Sequence, residues 1–135
     1  QLDRVTMSTL PDERDLAIRV MAMPADTNAS GDIFGGWLMS QVDIAGSIVA
    51  RRRAQGRIVT VAVDSFHFRN PVFVGDVISC YARITRSGKT SLKINVKAFA
   101  ERQGESHHTR LVTEADLTYV AVDDQRRPRH LPEES

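Results

Sequence analysis

A single carboxylate stands out in the first half of the chain. Asp43 is the only ionisable residue between Trp37 and Ala50. No cation lies three or four positions away, so no salt bridge within a helix could neutralise it. A carboxylate buried without a partner is costly, and such a group is poised to act as a base or a nucleophile. The pattern fits equally well a narrow solvent-exposed stripe shared with Ser40 and Ser47, and it leaves both interpretations open.

The residues before this run could stabilise a developing negative charge. Gly35 and Gly36 directly precede Trp37, and glycines at a helix start let a ligand approach unpaired backbone N–H groups. Such groups could form an oxyanion site for a reacting carbonyl, although two glycines before a helix are also common turn chemistry. Asn28, earlier in the same loop, could hold a carbonyl or a water, but an Asx turn or a cap is the commoner role for an isolated asparagine.

The periodicity of the chain predicts the elements that must position these residues. Residues 37–54 contain no proline and are apolar on more than one face, which predicts a long helix buried nearly all round. One short apolar segment before it and four long segments after it read as strands, at residues 16–23, 58–68, 77–85, 89–100 and 108–122.

This order of elements limits the fold. A single helix cannot cover a flat sheet of about five strands, whereas a curved antiparallel sheet wrapped around the helix satisfies both patterns. That is the hotdog fold, an α+β arrangement in the order β-α-β-β-β-β. A ferredoxin-like split βαβ fold would need a second amphipathic helix, and none is visible. We therefore expect one hotdog domain over residues 15–133, preceded by a flexible arm over residues 1–14.

Composition argues against several classes of function. The 135 residues carry 18 Lys and Arg against 17 Asp and Glu, so no strong field favours nucleic acid or an anionic membrane. Cys80 is the only cysteine, which excludes an intrachain disulfide and argues against a cysteine-based zinc site. No apolar run approaches the roughly 20 residues of a membrane-spanning helix, and no apolar signal core is present near the start. We expect a cytoplasmic protein with no metal site.

The loop and helix start resemble a known family. The run AMPADTNASGDIFGGWLMSQVD at residues 22–43 resembles the start of hotdog-fold acyl-CoA thioesterases. It looks closest to the bacterial YciA-type enzymes, which are similar to the cytosolic long-chain acyl-CoA hydrolases of animals. The resemblance extends over about residues 15–133 and includes GRIVTVAVDS, PVFVGDV and SGKTSLKI. The chain departs from the family pattern at Ser30, where Asn is frequent, and at residues 66–68, where Met-Asn-Phe is common; the second difference affects the expected acyl or pantetheine channel.

The resemblance implies an enzyme that hydrolyses acyl-CoA to a free acid and CoA without a metal. The family's catalytic Asp matches Asp43, and its catalytic Asn matches Asn28. In the family these two residues meet across a dimer interface, and the oxyanion donors are backbone N–H groups near Gly35 and Gly36. Three such dimers assemble into a hexamer. A dehydratase of the same fold should carry a His/Asp or His/Glu pair, and no His lies near Asp43 in sequence. A non-catalytic acyl-CoA-binding module would leave Asp43 and Asn28 without an evident purpose.

CoA would bring a diphosphate and a 3′-phosphate, for which arginine and lysine are suitable partners. The strongest candidate is one tight turn in which backbone N–H groups, hydroxyls and cations coincide. Most of the other basic residues are expected to be solvated surface charges. The candidate phosphate-binding residues are Arg86, Ser87, Gly88, Lys89 and Thr90 in that turn, together with Arg69.

Overall fold

One long helix and one antiparallel sheet dominate the part of the chain that the structure describes. The computed structural model describes residues 5–6, 10–102, 104 and 108–134. Within these residues the helix is α1 (Gly35–Ala54), and the strands are β1 (Val5–Thr6), β2 (Leu16–Met21), β3 (Ile58–Phe68), β4 (Val77–Ser87), β5 (Ser91–Glu101) and β6 (His108–Ala121). The sheet order is β1-β6-β5-β4-β2, β3 also pairs with β6, and every pairing is antiparallel.

The structure confirms the hotdog arrangement. α1 contacts each of the strands β2 to β6, as a helix must when one sheet wraps around it. The described residues contain no second α-helix, which rules out the ferredoxin-like alternative. β3 has the predicted bounds, and the other predicted ends differ by no more than two residues. No helix in the described part of the chain is long and apolar enough to cross a membrane.

The division into an arm and a domain stays a prediction. Residues 1–4 and 7–9 of the expected arm lie outside the described residues. Val5–Thr6 pair with Thr109 and His108 of β6, and Glu13–Asp15 form a single 3-10 turn before β2. Part of the expected arm therefore has regular structure.

The core lies between α1 and one face of the sheet. Alternating residues of β4 and β5 point towards the helix, and Leu38, Val42 and Ala45 of α1 meet them there. The prediction that α1 is buried nearly all round is wrong for the single chain, because the sheet covers only one side of the helix. Met39 and Ile44 of α1 keep 42% and 47% of their surface exposed. Four other exposed large apolar residues lie beside α1 or on β3, namely Phe34, Val61, Val63 and Phe68, and four more lie elsewhere, namely Met21, Met23, Phe73 and Val74.

Two bulges interrupt β3. Its register against β6 shifts between Thr60 and Ala62, and again between Asp64 and His67. Each bulge inserts one unpaired residue, and Ser65 in the second adopts a left-handed φ of 56°. Because each extra residue reverses which face the next side chains occupy, β3 turns Thr60, Val63 and Phe66 towards α1 at intervals of three instead of two.

Candidate active site

Asp43 lies near the middle of α1 beside an open cavity. The cavity has a volume of about 260 Å³ and is lined by Gly36, Met39, Ser40, Asp43, Val63, Phe66 and Leu117. Most of these side chains are apolar, and Asp43 is the only ionisable one among them. Asp43 is partly exposed. It is therefore neither a fully buried carboxylate nor part of a plain solvent-exposed stripe, because it faces this cavity.

Two hydroxyl groups hold the Asp43 carboxylate. Thr60 Oγ1 donates to Asp43 Oδ1 at 2.9 Å, and the Tyr119 hydroxyl lies 2.9 Å from the same oxygen. Asp43 Oδ2 accepts no hydrogen bond from any described residue. The sheet brings the two hydroxyls together, because Thr60 and Tyr119 are direct partners in the β3–β6 register. The sequence indicated neither residue as a partner, since they stand 17 and 76 positions from Asp43.

Tyr119 reaches Asp43 from inside the core. Its side chain is fully buried. Burial, together with the hydrogen bond to the Asp43 carboxylate, raises the pKa of the Tyr119 phenol far above its ordinary value. Gly46 makes room for the ring, because a Cβ atom at that position would lie 3.1 Å from Tyr119 Cε2 and Cζ. Tyr119 is therefore a neutral hydrogen-bond donor over the whole working range of pH.

Asn28 is fixed by its own loop. Its Oδ1 accepts hydrogen bonds from the backbone N–H of Ser30 at 2.9 Å and of Asp32 at 3.2 Å, which is the geometry of an Asx turn. Asn28 Nδ2 donates to no described residue, so the amide keeps its N–H groups for another acceptor. Asn28 does not line the cavity of Asp43. A single chain therefore does not bring the two predicted catalytic residues into one cavity.

The glycine pair lies inside the helix and not before it. α1 begins at Gly35, two residues earlier than predicted, because the first N–H groups of a helix need no partner within it. The N–H groups of Gly35 and Gly36 have no acceptor among the described residues. Gly36 lines the cavity of Asp43 and has open space around it. Gly35 packs under the Phe68 ring, where an added Cβ would lie 3.1 Å from Phe68 Cζ.

The predicted phosphate-binding turn connects β4 and β5. Gly88 N donates to Ser91 O at 2.8 Å, so this backbone donor is already occupied. The carbonyl of Lys89 accepts from Leu131 N at 2.8 Å, which fastens the C-terminal segment to the turn. The side chains of Arg86, Ser87 and Lys89 are exposed, and Thr90 is partly exposed. In the register, Leu92 is opposite Tyr119, so the turn lies just beyond the end of the sheet that holds the Asp43 hydroxyls.

Arg69 lies at the other end of β3. It directly follows Phe68 and lines a second cavity of about 380 Å³ together with Phe34, Gly35 and Asn70. Thr60 and Phe68 pair with Tyr119 and Thr113 of β6, which are six residues apart, so Arg69 lies more than about 20 Å from Thr60 along the sheet. The turn and Arg69 are therefore at opposite ends of the sheet, and one phosphate group could not contact both on the same chain.

The chain is similar to known proteins in both sequence and structure. The thioesterase superfamily model matches residues 30–107. The acyl-CoA thioester hydrolase YciA of Escherichia coli K12 is 53% identical over 125 residues, which cover 89% of this chain and 92% of that protein. A hexameric thioesterase of Yersinia pestis is similar in structure, with a TM-score of 0.87 and 52% identity over 92% of this chain and 100% of the other. A hexameric broad specificity acyl-coenzyme A thioesterase, crystallised with an aspartate replaced by alanine, gives a TM-score of 0.85 and 46% identity over 89% and 88% of the two chains.

Proposed function

This chain belongs to the thioesterase superfamily, and on that premise we propose that it hydrolyses acyl-CoA thioesters to a free carboxylic acid and CoA. The observation that carries the proposal is the state of Asp43. One carboxylate oxygen is held by two hydroxyls, and the other lies in a largely apolar cavity without a hydrogen bond from any residue that the structure describes. A carboxylate in such surroundings can attack the thioester carbonyl or activate a water molecule that does so.

The apolar lining of the cavity suits the first carbons of an acyl chain. Met39, Val63 and Leu117 surround the space next to Asp43, and Phe66 closes one side of it. The ring of Phe66 packs against Phe68 with centroids 5.0 Å apart. The reaction releases the CoA thiolate, which is a good leaving group and needs no strong general acid. We propose that the reaction requires no metal and no cofactor besides the CoA of the substrate.

The oxyanion donors belong to the helix start. Gly36 and Asp43 are seven residues apart, almost two helical turns, so they lie on one face about 10 Å apart along the axis. That distance is too long for both to act on one carbonyl within a single chain. Two antiparallel helices facing each other across a two-fold axis would place Gly36 of one chain beside Asp43 of the other. The free Nδ2 of Asn28 from the partner chain would then supply a second donor, because its Oδ1 is occupied by the Asx turn.

The open edge of β3 is the surface that such a dimer would use. β3 pairs with β6, and among the described residues no strand pairs with its other edge. Val61, Val63 and Phe68 on β3 are exposed together with Met39 and Ile44 of α1, which is an unfavourable apolar surface for an isolated chain. Joining two sheets at this edge satisfies the open backbone groups and covers the apolar side chains. Three such dimers would give the hexamer described for the relatives above.

The remaining parts of the proposal concern CoA and location. The exposed side chains of Arg86 and Lys89 sit just beyond the sheet end that carries Thr60 and Tyr119, which favours this turn over Arg69 for the CoA phosphates. Arginine and lysine both suit phosphate, arginine through a planar fork and lysine as a point charge.

We propose a cytoplasmic location, where a single free cysteine stays reduced.

The test is thiol release from acetyl-, butyryl- and palmitoyl-CoA, followed with a thiol-reactive dye. The wild-type chain should hydrolyse at least one of these substrates, and Asp43→Asn should lower kcat by roughly 10²-fold or more. Asp124→Asn is the matched control, because Asp124 is an exposed carboxylate after β6. Near-normal turnover in Asp43→Asn would refute the assignment. Tight binding of all three substrates without turnover by the wild type would favour the non-catalytic binding module.

A further inference from the structure

The Asp43 carboxylate is restrained in an asymmetric way. Both hydroxyl donors, from Thr60 and Tyr119, meet the same oxygen, Oδ1. A carboxylate can rotate about its Cβ–Cγ bond and exchange its two oxygens at little cost. Two donors fixed on one side oppose that rotation, and they leave Oδ2 as the atom that is free to react.

The two donors differ in how firmly they hold the carboxylate. Thr60 is exposed, so water competes for its hydroxyl. Tyr119 is fully buried in the core, and no water competes with its hydrogen bond. A hydrogen bond to an ionised group is also stronger in such a dry environment than in water. Tyr119 is therefore the donor that fixes the orientation.

The Tyr119 hydroxyl has a choice of two acceptors. Its oxygen lies 2.9 Å from the Asp43 backbone carbonyl as well as 2.9 Å from Oδ1. The carbonyl belongs to the interior of α1, where it accepts the helical N–H four residues later. An ionised carboxylate is the stronger acceptor, so the single phenolic proton goes to Oδ1. The contact with the carbonyl ties the ring to the helix at the residue whose side chain it orients.

Gly46 is a necessary part of this arrangement. It lies three residues after Asp43 on α1 and faces the Tyr119 ring. An added Cβ would lie 3.1 Å from two ring carbons and still closer to the hydroxyl oxygen, so the ring would have to move away from the carboxylate. The short side chain at this position thus lets a core tyrosine reach a residue on the helix.

We propose that Tyr119 is a positioning residue for hydrolysis, which holds Oδ1 of Asp43 so that Oδ2 is the reacting oxygen. The inference rests on the function proposed above. Tyr119 does not touch the substrate in this role, and its effect is transmitted through Asp43. Removing its hydroxyl should therefore lower the rate of the chemical step and leave substrate binding nearly unchanged.

The test is Tyr119→Phe, which removes one oxygen and keeps the ring. We expect kcat to fall roughly tenfold, as for the loss of one hydrogen bond to a charged group, with KM changed less than twofold. A purely structural role would lower thermal stability without this selective loss of kcat.

Tyr81→Phe is the matched control. Tyr81 is also buried, but it packs edge-on against Phe99 at 5.7 Å and points to the opposite face of the sheet from Cys80 and Ala82. It should leave kcat and KM at their wild-type values. Gly46→Ala is the second variant, and because it displaces the same ring it should reproduce the lower kcat with a nearly unchanged KM even where Tyr119→Phe folds poorly.

The outcomes separate this inference from the proposed function. Wild-type kcat in both variants, in an enzyme that Asp43→Asn inactivates, would overturn the role of Tyr119 alone. A change confined to KM would overturn it as well. An inert wild-type chain would instead refute the proposed function.

Discussion

Mixing two inactive variants tests whether the site is shared between chains. Asn28→Ala removes the amide, and Asp43→Ala removes the carboxylate, so each homodimer should be almost inactive. In a mixed dimer, one site would combine Asn28 and Asp43 from the two chains that keep them. The other site of the same dimer would lack both residues.

The size of the recovered activity follows from the symmetry of the dimer. Random pairing of equal amounts makes half of the dimers mixed, and each mixed dimer carries one intact site out of two. The mixture should therefore reach about a quarter of the wild-type rate per chain. If both residues acted within one chain, no site in any dimer would be intact, and the mixture would stay as inactive as its components.

The assay needs a direct measure of mixing. The two variants are co-expressed with different affinity tags, and the doubly tagged species is purified in two steps. Thiol release from the best acyl-CoA substrate should then reach about a quarter of the wild-type rate per chain, because doubly tagged hexamers still contain about as many homodimers as mixed dimers. Doubly tagged protein with no recovered activity would refute the shared site, and so would a fully active Asn28→Ala homodimer.

Two further predictions concern stability and thiol chemistry. The Asp76 side chain is 1% exposed and pairs with Arg102 at 3.0 Å. Asp76→Asn should lower the free energy of unfolding, measured in urea, by about 3 kcal/mol, because it leaves Arg102 without its charged partner. Asp12→Asn, which breaks the fully exposed pair with Arg14, should leave the urea midpoint unchanged. Burial raises the pKa of the Cys80 thiol to about 12, so at pH 8 the folded chain should not react with a thiol-reactive dye. In denaturant, one equivalent of dye should react per chain. Rapid reaction of the folded chain would contradict this prediction.

The elements that depend on local pattern were predictable from the sequence. Continuous β-branched residues predicted β3 with its observed bounds, and the absence of proline predicted α1. The start of α1 was misplaced because glycines weaken a helix interior but cost little in a first turn, where N–H groups are unpaired in any case. The apolar pattern of α1 overstated burial within one chain, because the sheet covers one side of the helix and leaves Met39 and Ile44 exposed.

The site was predictable only in part. Asp43 stood out because it interrupts an apolar run. The Asx turn suggested for Asn28 is present, since its Oδ1 accepts from Ser30 N and Asp32 N, and the role of its side-chain amide in holding a carbonyl or a water stays a prediction. Thr60 and Tyr119 were not predictable as partners of Asp43. Their contact depends on the register of two strands far apart in the chain, and the bulges in β3 alter the alternation from which such a register would be inferred.

The bulge at Ser65 determines which side chain forms one wall of the cavity. It inserts one residue between Asp64 and His67, and so Phe66 faces Asp43 while His67 faces outwards. If the same residues followed β6 without a bulge, those after Asp64 would pair one position out of the observed register, and the His67 imidazole would face inwards in place of the phenyl ring. The extra residue therefore places an inert hydrocarbon wall, and not a proton-carrying group, beside the reactive carboxylate.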